Sequence, residues 1–223
     1  MLKIASRNVN IRAVIQKFYD RVKKNDRDII CLQETKAFES QLPVEFRYHM
    51  ADYNRVRHSG TKPYSTATLY KKSLNLISSK SHFEDIEHFH EDGRVVETKF
   101  SLSSLIKEGD HEVVEDLNKT FTLLNIYFPN DKADTEMLTY KLKFYDHFIQ
   151  YINNLRVQEN IITTDFNICH NPIDIARPEE NKNSIFLPIE RAEMDKLLEN
   201  YTDIFRHFNP DLKDQYTRRS YRA

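Results

Sequence analysis

The sequence predicts an α/β domain. Short β-rich runs alternate with amphipathic helical segments, apolar runs end in polar residues, and no repeat or interdomain linker breaks the order. Lys3–Val9 reads as the first strand. Ala13–Lys24 follows as a helix with Val14, Phe18 and Val22 on one side. Asp28–Gln33 is a short apolar run of the kind buried on both faces of a sheet. Further strands are expected at Thr66–Leu69, Leu74–Ile77, Val95–Ser101, Phe121–Tyr127 and Asn160–Thr164. Thr135–Arg156 carries Leu138, Leu142, Tyr145, Ile149 and Ile152 at helical steps, and Pro188–Asn200 opens with a proline suited to a first helical turn. Ser79–Asp92 and Lys107–Lys119 are charged and read as surface excursions.

At 223 residues the chain suits one large domain with a sizeable core. A net charge of -1 gives no global electrostatic signature, so a nucleic-acid partner would need a local basic face. No apolar run approaches the roughly 18 residues of a membrane span. The start Met1-Leu2-Lys3-Ile4 leads into a strand rather than a signal sequence, and Cys31 and Cys169 each adjoin an apolar run. These features predict a reduced, cytoplasmic protein without disulfides. Glycine appears only 3 times and tryptophan not at all. Average usage would give roughly 16 glycines. So few make tight turns hard to build.

The polar residues fall at strand ends. The first strand closes on Asn8 and Asn10, the second on Glu34, another on Tyr127 and Asn130, and the last on Asp165 and Asn167. Side chains alternate along a strand, so Asp165 and Asn167 project together. An Asp-x-Asn after a strand also suits a turn, and Glu34 also suits a helix cap or a pair with Lys36. Gathered at one edge, carboxylates and amides form an oxygen-rich set suited to Mg²⁺ or Mn²⁺. Such an ion activates water and neutralises phosphoryl charge.

Eight segments carry a resemblance: KIASRNVN, DIICLQETK, YSTATLYKK, GRVVETKF, FTLLNIYFPN, TDFNICHNPIDIARP, MDKLLENYTDIFRHFNPD and QYTRRSYR. In this order, from Lys3 to Arg222, they resemble the exonuclease III and AP endonuclease branch of the endonuclease/exonuclease/phosphatase superfamily. The resemblance implies a four-layer α/β sandwich, two mixed β-sheets flanked by helices, as one domain over residues 1–223. It implies a Mg²⁺-dependent DNA repair nuclease acting as a monomer on double-stranded and abasic-site DNA. Its activities would be 3′→5′ exonuclease and cleavage beside abasic sites. Glu34 would be the principal metal ligand, with Asn8, Asp165 and Asn167 completing the metal site. Asp165 would deprotonate the attacking water, while Tyr127 and Asn167 would contact the scissile phosphate. Asn10, Asn130 and Asn181 match positions that touch the DNA. Lys36, Lys62 and Arg94 are basic candidates for gripping the backbone.

The departures from the family pattern are systematic. Arg7, Arg218 and Arg219 stand where large aromatics are expected. Glycines are missing after Asn10, before Thr66, at Thr164 and after Asn200. The pattern also continues past Ala223 with a further catalytic Asp, a terminal Asp-His pair and their strands, so the domain is expected to be incomplete at that end. The concentration on two residue types predicts reassigned codons, which the gene's own nucleotide sequence would reveal. The competing expectation is an inactive DNA-binding fragment or relative. The retained Glu34, Tyr127, Asp165 and Asn167 argue against decay.

Overall fold

The computed structural model describes residues 1–9, 18, 20, 22, 24–36, 39–42, 44–60, 65–83, 91–105, 119–130, 134–155, 159–180 and 184–216. Its strands are β1 (Ile4–Asn8), β2 (Ile29–Gln33), β3 (Tyr53–His58), β4 (Thr66–Lys71), β5 (Leu76–Lys80), β6 (Val95–Ser101), β7 (Thr120–Tyr127) and β8 (Glu159–Asp165). Its helices are α1 (Val44–His49), α2 (Thr135–Asn154), α3 (Pro188–Leu198) and α4 (Ile204–Phe208). The chain divides into two compact units, Met1–Tyr127 with Asn154–Asp165, and Phe128–Asn153 with Phe166–Ala223.

The first unit holds both sheets. One runs β1-β2-β4-β3, with β1 parallel to β2 and the remaining pairs antiparallel. The other runs β5-β6-β7-β8, antiparallel until the parallel pair β7 and β8. The sheets face each other, β1 against β8 and β2 against β7. The expected α/β architecture of two mixed sheets is therefore present.

Strand β2 explains itself. Ile29 and Cys31 join Phe100, Phe121 and Leu123 in the core between the sheets. Ile30 and Leu32 turn outward to pack with Phe18, Val22, Met50 and Leu69. All five residues are buried, which is why the run shows no polar alternation. Each fully buried side chain of this size stabilises the fold by about 1.5–3 kcal/mol. Phe18 and Val22, from the expected helix Ala13–Lys24, are helical and buried; most of that segment lies outside the described residues.

Strand β3 was not legible because Asn54, Arg55, Arg57 and His58 dominate it. It is a sheet edge, where charged side chains discourage pairing with another chain. The short helices α1 and α4 were also unforeseen. In α2 Tyr145 and Ile152 are buried as expected, but Lys141, Phe144 and Phe148 complete the buried stripe, with Leu142 and Ile149 only half-buried.

In the second unit Phe128 packs against Phe144, Tyr145, Phe148 and Phe166. Arg206 on α4 donates to Asp174 at 2.6 Å and to the Ile173 carbonyl at 3.3 Å, tying FRHFNPD to NPIDIARP. Arg7, which stands where a large aromatic is expected, is half-buried. Among the described residues no helix is long and apolar enough to cross a membrane.

Candidate functional site

Parallel pairing sends the ends of β1 and β2 the same way. Asn8 lies opposite Gln33, and Val9 N–H donates to the Gln33 carbonyl at 2.9 Å. Glu34 is the next residue after Gln33, just past the end of β2. In the facing sheet, β7 and β8 are also parallel and end with Tyr127 opposite Asp165. The two sheets meet here: Asn8 Nδ2 donates to Asp165 Oδ2 at 2.6 Å. The carboxamide orientation is dictated by chemistry, because Oδ1 against a carboxylate would set two acceptors together.

Beneath these ends lies a buried polar floor. Gln33 Nε2 donates to Asn125 Oδ1 at 2.8 Å and to Ser6 Oγ at 3.0 Å. Asn125 Nδ2 donates to the Ala67 carbonyl at 2.9 Å and to Thr68 Oγ1 at 3.2 Å. Gln33, Asn125 and Thr68 are at most 1% exposed, so a network this dry has to be satisfied to be tolerated. It links β1, β2, β4 and β7 just below the polar strand ends.

Glu34 and Lys36 both have left-handed backbones, at φ 54° and 51°, conformations that neither residue favours. Thr35 between them is pinned by its N–H to the Ser65 carbonyl at 2.9 Å and its hydroxyl to Ser65 Oγ at 2.6 Å. Arg57 Nη2 adds a bond to Ser65 Oγ at 3.1 Å. Strain of this kind persists where the surroundings over-determine the backbone, and it concentrates at functional sites. The Glu34 carboxylate, 23% exposed, rests 2.7 Å from Lys36 Nζ. Lys36 therefore pairs with Glu34.

Arg94 corrects an expectation. It is 3% exposed, not a surface contact for DNA. Its Nε donates to Asp92 Oδ2 at 2.8 Å, its Nη1 reaches the Tyr127 carbonyl at 3.3 Å, and its guanidinium lies 5.1 Å from the Tyr127 ring. The Tyr127 N–H donates back to the Arg94 carbonyl at 2.9 Å. Arg94 braces Tyr127. The apolar flank of GRVVETKF signalled a buried strand, but Asp92 as its partner was not foreseen.

Asn130 and Asn167 belong to the second unit and meet there, with Asn130 Nδ2 donating to Asn167 Oδ1 at 3.3 Å. Asn167 sits at φ 51° and donates Nδ2 to the Phe128 carbonyl at 2.9 Å. The expected DNA contacts Asn10 and Asn181, and the candidate Lys62, lie outside the described residues.

The oxygen donors in contact here are the Asp165 carboxylate and the Asn8 amide, and Glu34 follows directly on β2, the strand paired with β1. That hard set fits Mg²⁺, which keeps several waters and needs only one or two carboxylates from a protein. No group of three His, Cys, Asp or Glu side chains gathers among the described residues, so an all-protein cage is not offered there. Cys31 is buried between the sheets, where desolvation pushes its thiol up to about 12, so it supplies no thiolate.

No protein-family model matches the sequence. An exodeoxyribonuclease of Bacillus subtilis is 30% identical over 230 residues, spanning 100% of this chain and 81% of that protein. A DNA-(apurinic or apyrimidinic site) endonuclease of Dictyostelium discoideum is 32% identical over 232 residues, covering 99% of this chain but only 57% of its own length. The structure of an AP endonuclease from Archaeoglobus fulgidus superposes on 100% of this chain and 80% of that one, with a TM-score of 0.78 at 24% identity. The fold and the 30% identity over the whole of this chain agree: the chain belongs to the exonuclease III and AP endonuclease family of DNA repair nucleases.

Proposed function

We propose that the chain hydrolyses phosphodiester bonds in duplex DNA in a Mg²⁺-dependent reaction, as a 3′→5′ exonuclease and at abasic sites. The observation that carries this reading is the Asn8–Asp165 hydrogen bond, which brings the ends of β1 and β8, one from each sheet, to one place. Glu34 and Asp165 would hold the ion with Asn8. Bound there, Mg²⁺ supplies positive charge to the phosphoryl oxygens.

Asp165 acts as the base, taking a proton from water aimed in line at phosphorus. Asn8 fixes the rotamer of Asp165 by its 2.6 Å bond, so the carboxylate needs no reorganisation when the water loses its proton. Tyr127, held by Arg94 through both main-chain and ring contacts, presents a fixed phenol to the phosphate. Asn167, two residues after Asp165 in the chain, is read as a phosphate contact through its amide. Lys36 contributes a cation beside Glu34 and joins the grip on the DNA backbone. The free cysteines support action in a reduced, cytoplasmic setting, and the chain is read as a monomer.

The test is incubation of the protein with an abasic-site duplex and with an end-labelled intact duplex, in Mg²⁺ or in EDTA. The reading expects a nick beside the abasic site and 3′ shortening of the intact strand, both lost in EDTA. Binding without cleavage in Mg²⁺ would mark an inactive DNA-binding relative instead.

A further inference from the structure

Two side chains one turn apart on α2 hold consecutive carbonyls of the segment that carries Asn167. Tyr145 O–H donates to the Phe166 carbonyl at 2.6 Å, and Lys141 Nζ donates to the Asn167 carbonyl at 2.8 Å. Residues four apart share a helix face, so the two act side by side. Both are fully buried.

Lys141 is also paired with Glu190 on α3, itself 0% exposed. The second oxygen of Glu190 accepts from the Leu187 N–H at 2.9 Å, capping the start of α3. A buried ion pair is a poor source of stability, because apolar side chains of the same size pack as well without the desolvation cost. Apolar side chains could not hold a carbonyl. Asn167 needs holding: its left-handed φ of 51° is tolerated by asparagine but not preferred. With its carbonyl held by Lys141, its amide bonds to Phe128 and Asn130 follow from one backbone setting.

We propose that Tyr145 and Lys141 are positioning residues that aim the Asn167 amide, Lys141 being kept in place by Glu190. The proposal rests on the reading of Asn167 as a phosphate contact. Neither residue touches the substrate.

The test is a mutant cycle read by steady-state cleavage of an abasic-site duplex, with the full chain and a thermal-unfolding check. Tyr145→Phe removes one hydroxyl and is expected to lower kcat about tenfold while KM stays within about twofold. In an Asn167→Ala background the same substitution is expected to change nothing further, since both act through one group. An equal drop in both backgrounds would mean a merely structural role and would overturn the proposal. If Asn167→Ala alone leaves kcat unchanged, the reading of Asn167 falls, and this proposal with it. A second readout does not need activity: the Asn167 side-chain amide resonances, sharp in the parent, are expected to broaden or move in Tyr145→Phe. Unmoved resonances overturn the proposal. Lys141→Met combined with Glu190→Met, which leaves no charge buried alone, is expected to repeat both results.

Discussion

Asn8 and Asp165 close two different sheets and touch, with the carboxamide of one donating to the carboxylate of the other at 2.6 Å. The contact spans 157 positions of sequence, so only the stacking of the two sheets creates it. Its consequence is a carboxylate whose direction is set before any substrate arrives, and in the proposed reaction that carboxylate is the base. Asn8→Ala removes that bond without touching the core, because Asn8 is exposed. The expected outcome is a fall in kcat on the order of tenfold to a hundredfold with little change in the unfolding midpoint. Cleavage kinetics beside a denaturant titration check it; an unaltered kcat would show that Asp165 needs no such hold.

Arg94→Met removes the buried bond to Asp92 and the bond to the Tyr127 carbonyl. The expected cost is about 3–5 kcal/mol of stability, read from urea unfolding. A surface contact would behave differently, sparing stability and flattening the salt dependence of DNA binding. The buried geometry predicts the first pattern.

Cys31 sets a pH dependence. Its thiol ionises near 9.0 in an unfolded chain and near 12 here, because burial disfavours the thiolate. The folded state therefore holds its proton longer than the unfolded state does. Stability from this group is complete below 9.0 and is lost as pH rises from there towards about 12. Comparing parent and Cys31→Ala isolates it from other titrations: the gap between their unfolding free energies should narrow as pH rises over that range. A constant gap would contradict the assignment.

The shortage of glycine has a structural counterpart. Left-handed backbone occurs at Asp26, Glu34, Lys36, Asn167, Ile185 and Asp214, whereas Gly93 at φ 69° is the glycine among the described residues that uses this freedom. Gly60 is needed for space: a Cβ there would lie 1.8 Å from the Glu91 carbonyl oxygen. Asp and Asn tolerate the left-handed region, but β-branched Ile185, at φ 60°, does not. Ile185→Gly is expected to raise stability by about 1 kcal/mol, as relief of strain exceeds the loss of a half-buried side chain and the entropy of glycine. A lowered unfolding midpoint in that variant would count against strain at this position.

Much of this was legible because strands and long helices announce themselves by apolar pattern. DIICLQ, FTLLNIY and the helix from Thr135 each appeared within a few residues of where they were read. The polar strand ends were legible too, since Asn8, Tyr127 and Asp165 each close a strand and Glu34 directly follows one. What escaped was long-range pairing. Arg94 carries no mark saying that Asp92 and the Tyr127 carbonyl will enclose it, and Lys141 looks polar until Glu190 arrives from 49 positions away. Edge strand β3 escaped for the opposite reason, as its polar side chains guard an edge rather than fill a core.

The most direct measurement is Mn²⁺ titration, followed by electron paramagnetic resonance, of the parent, Glu34→Gln and Asp165→Asn. The expected result is a site in the parent that weakens at least about tenfold in both variants while their folds persist. Equal affinity in all three proteins would mean that these two carboxylates do not share an ion.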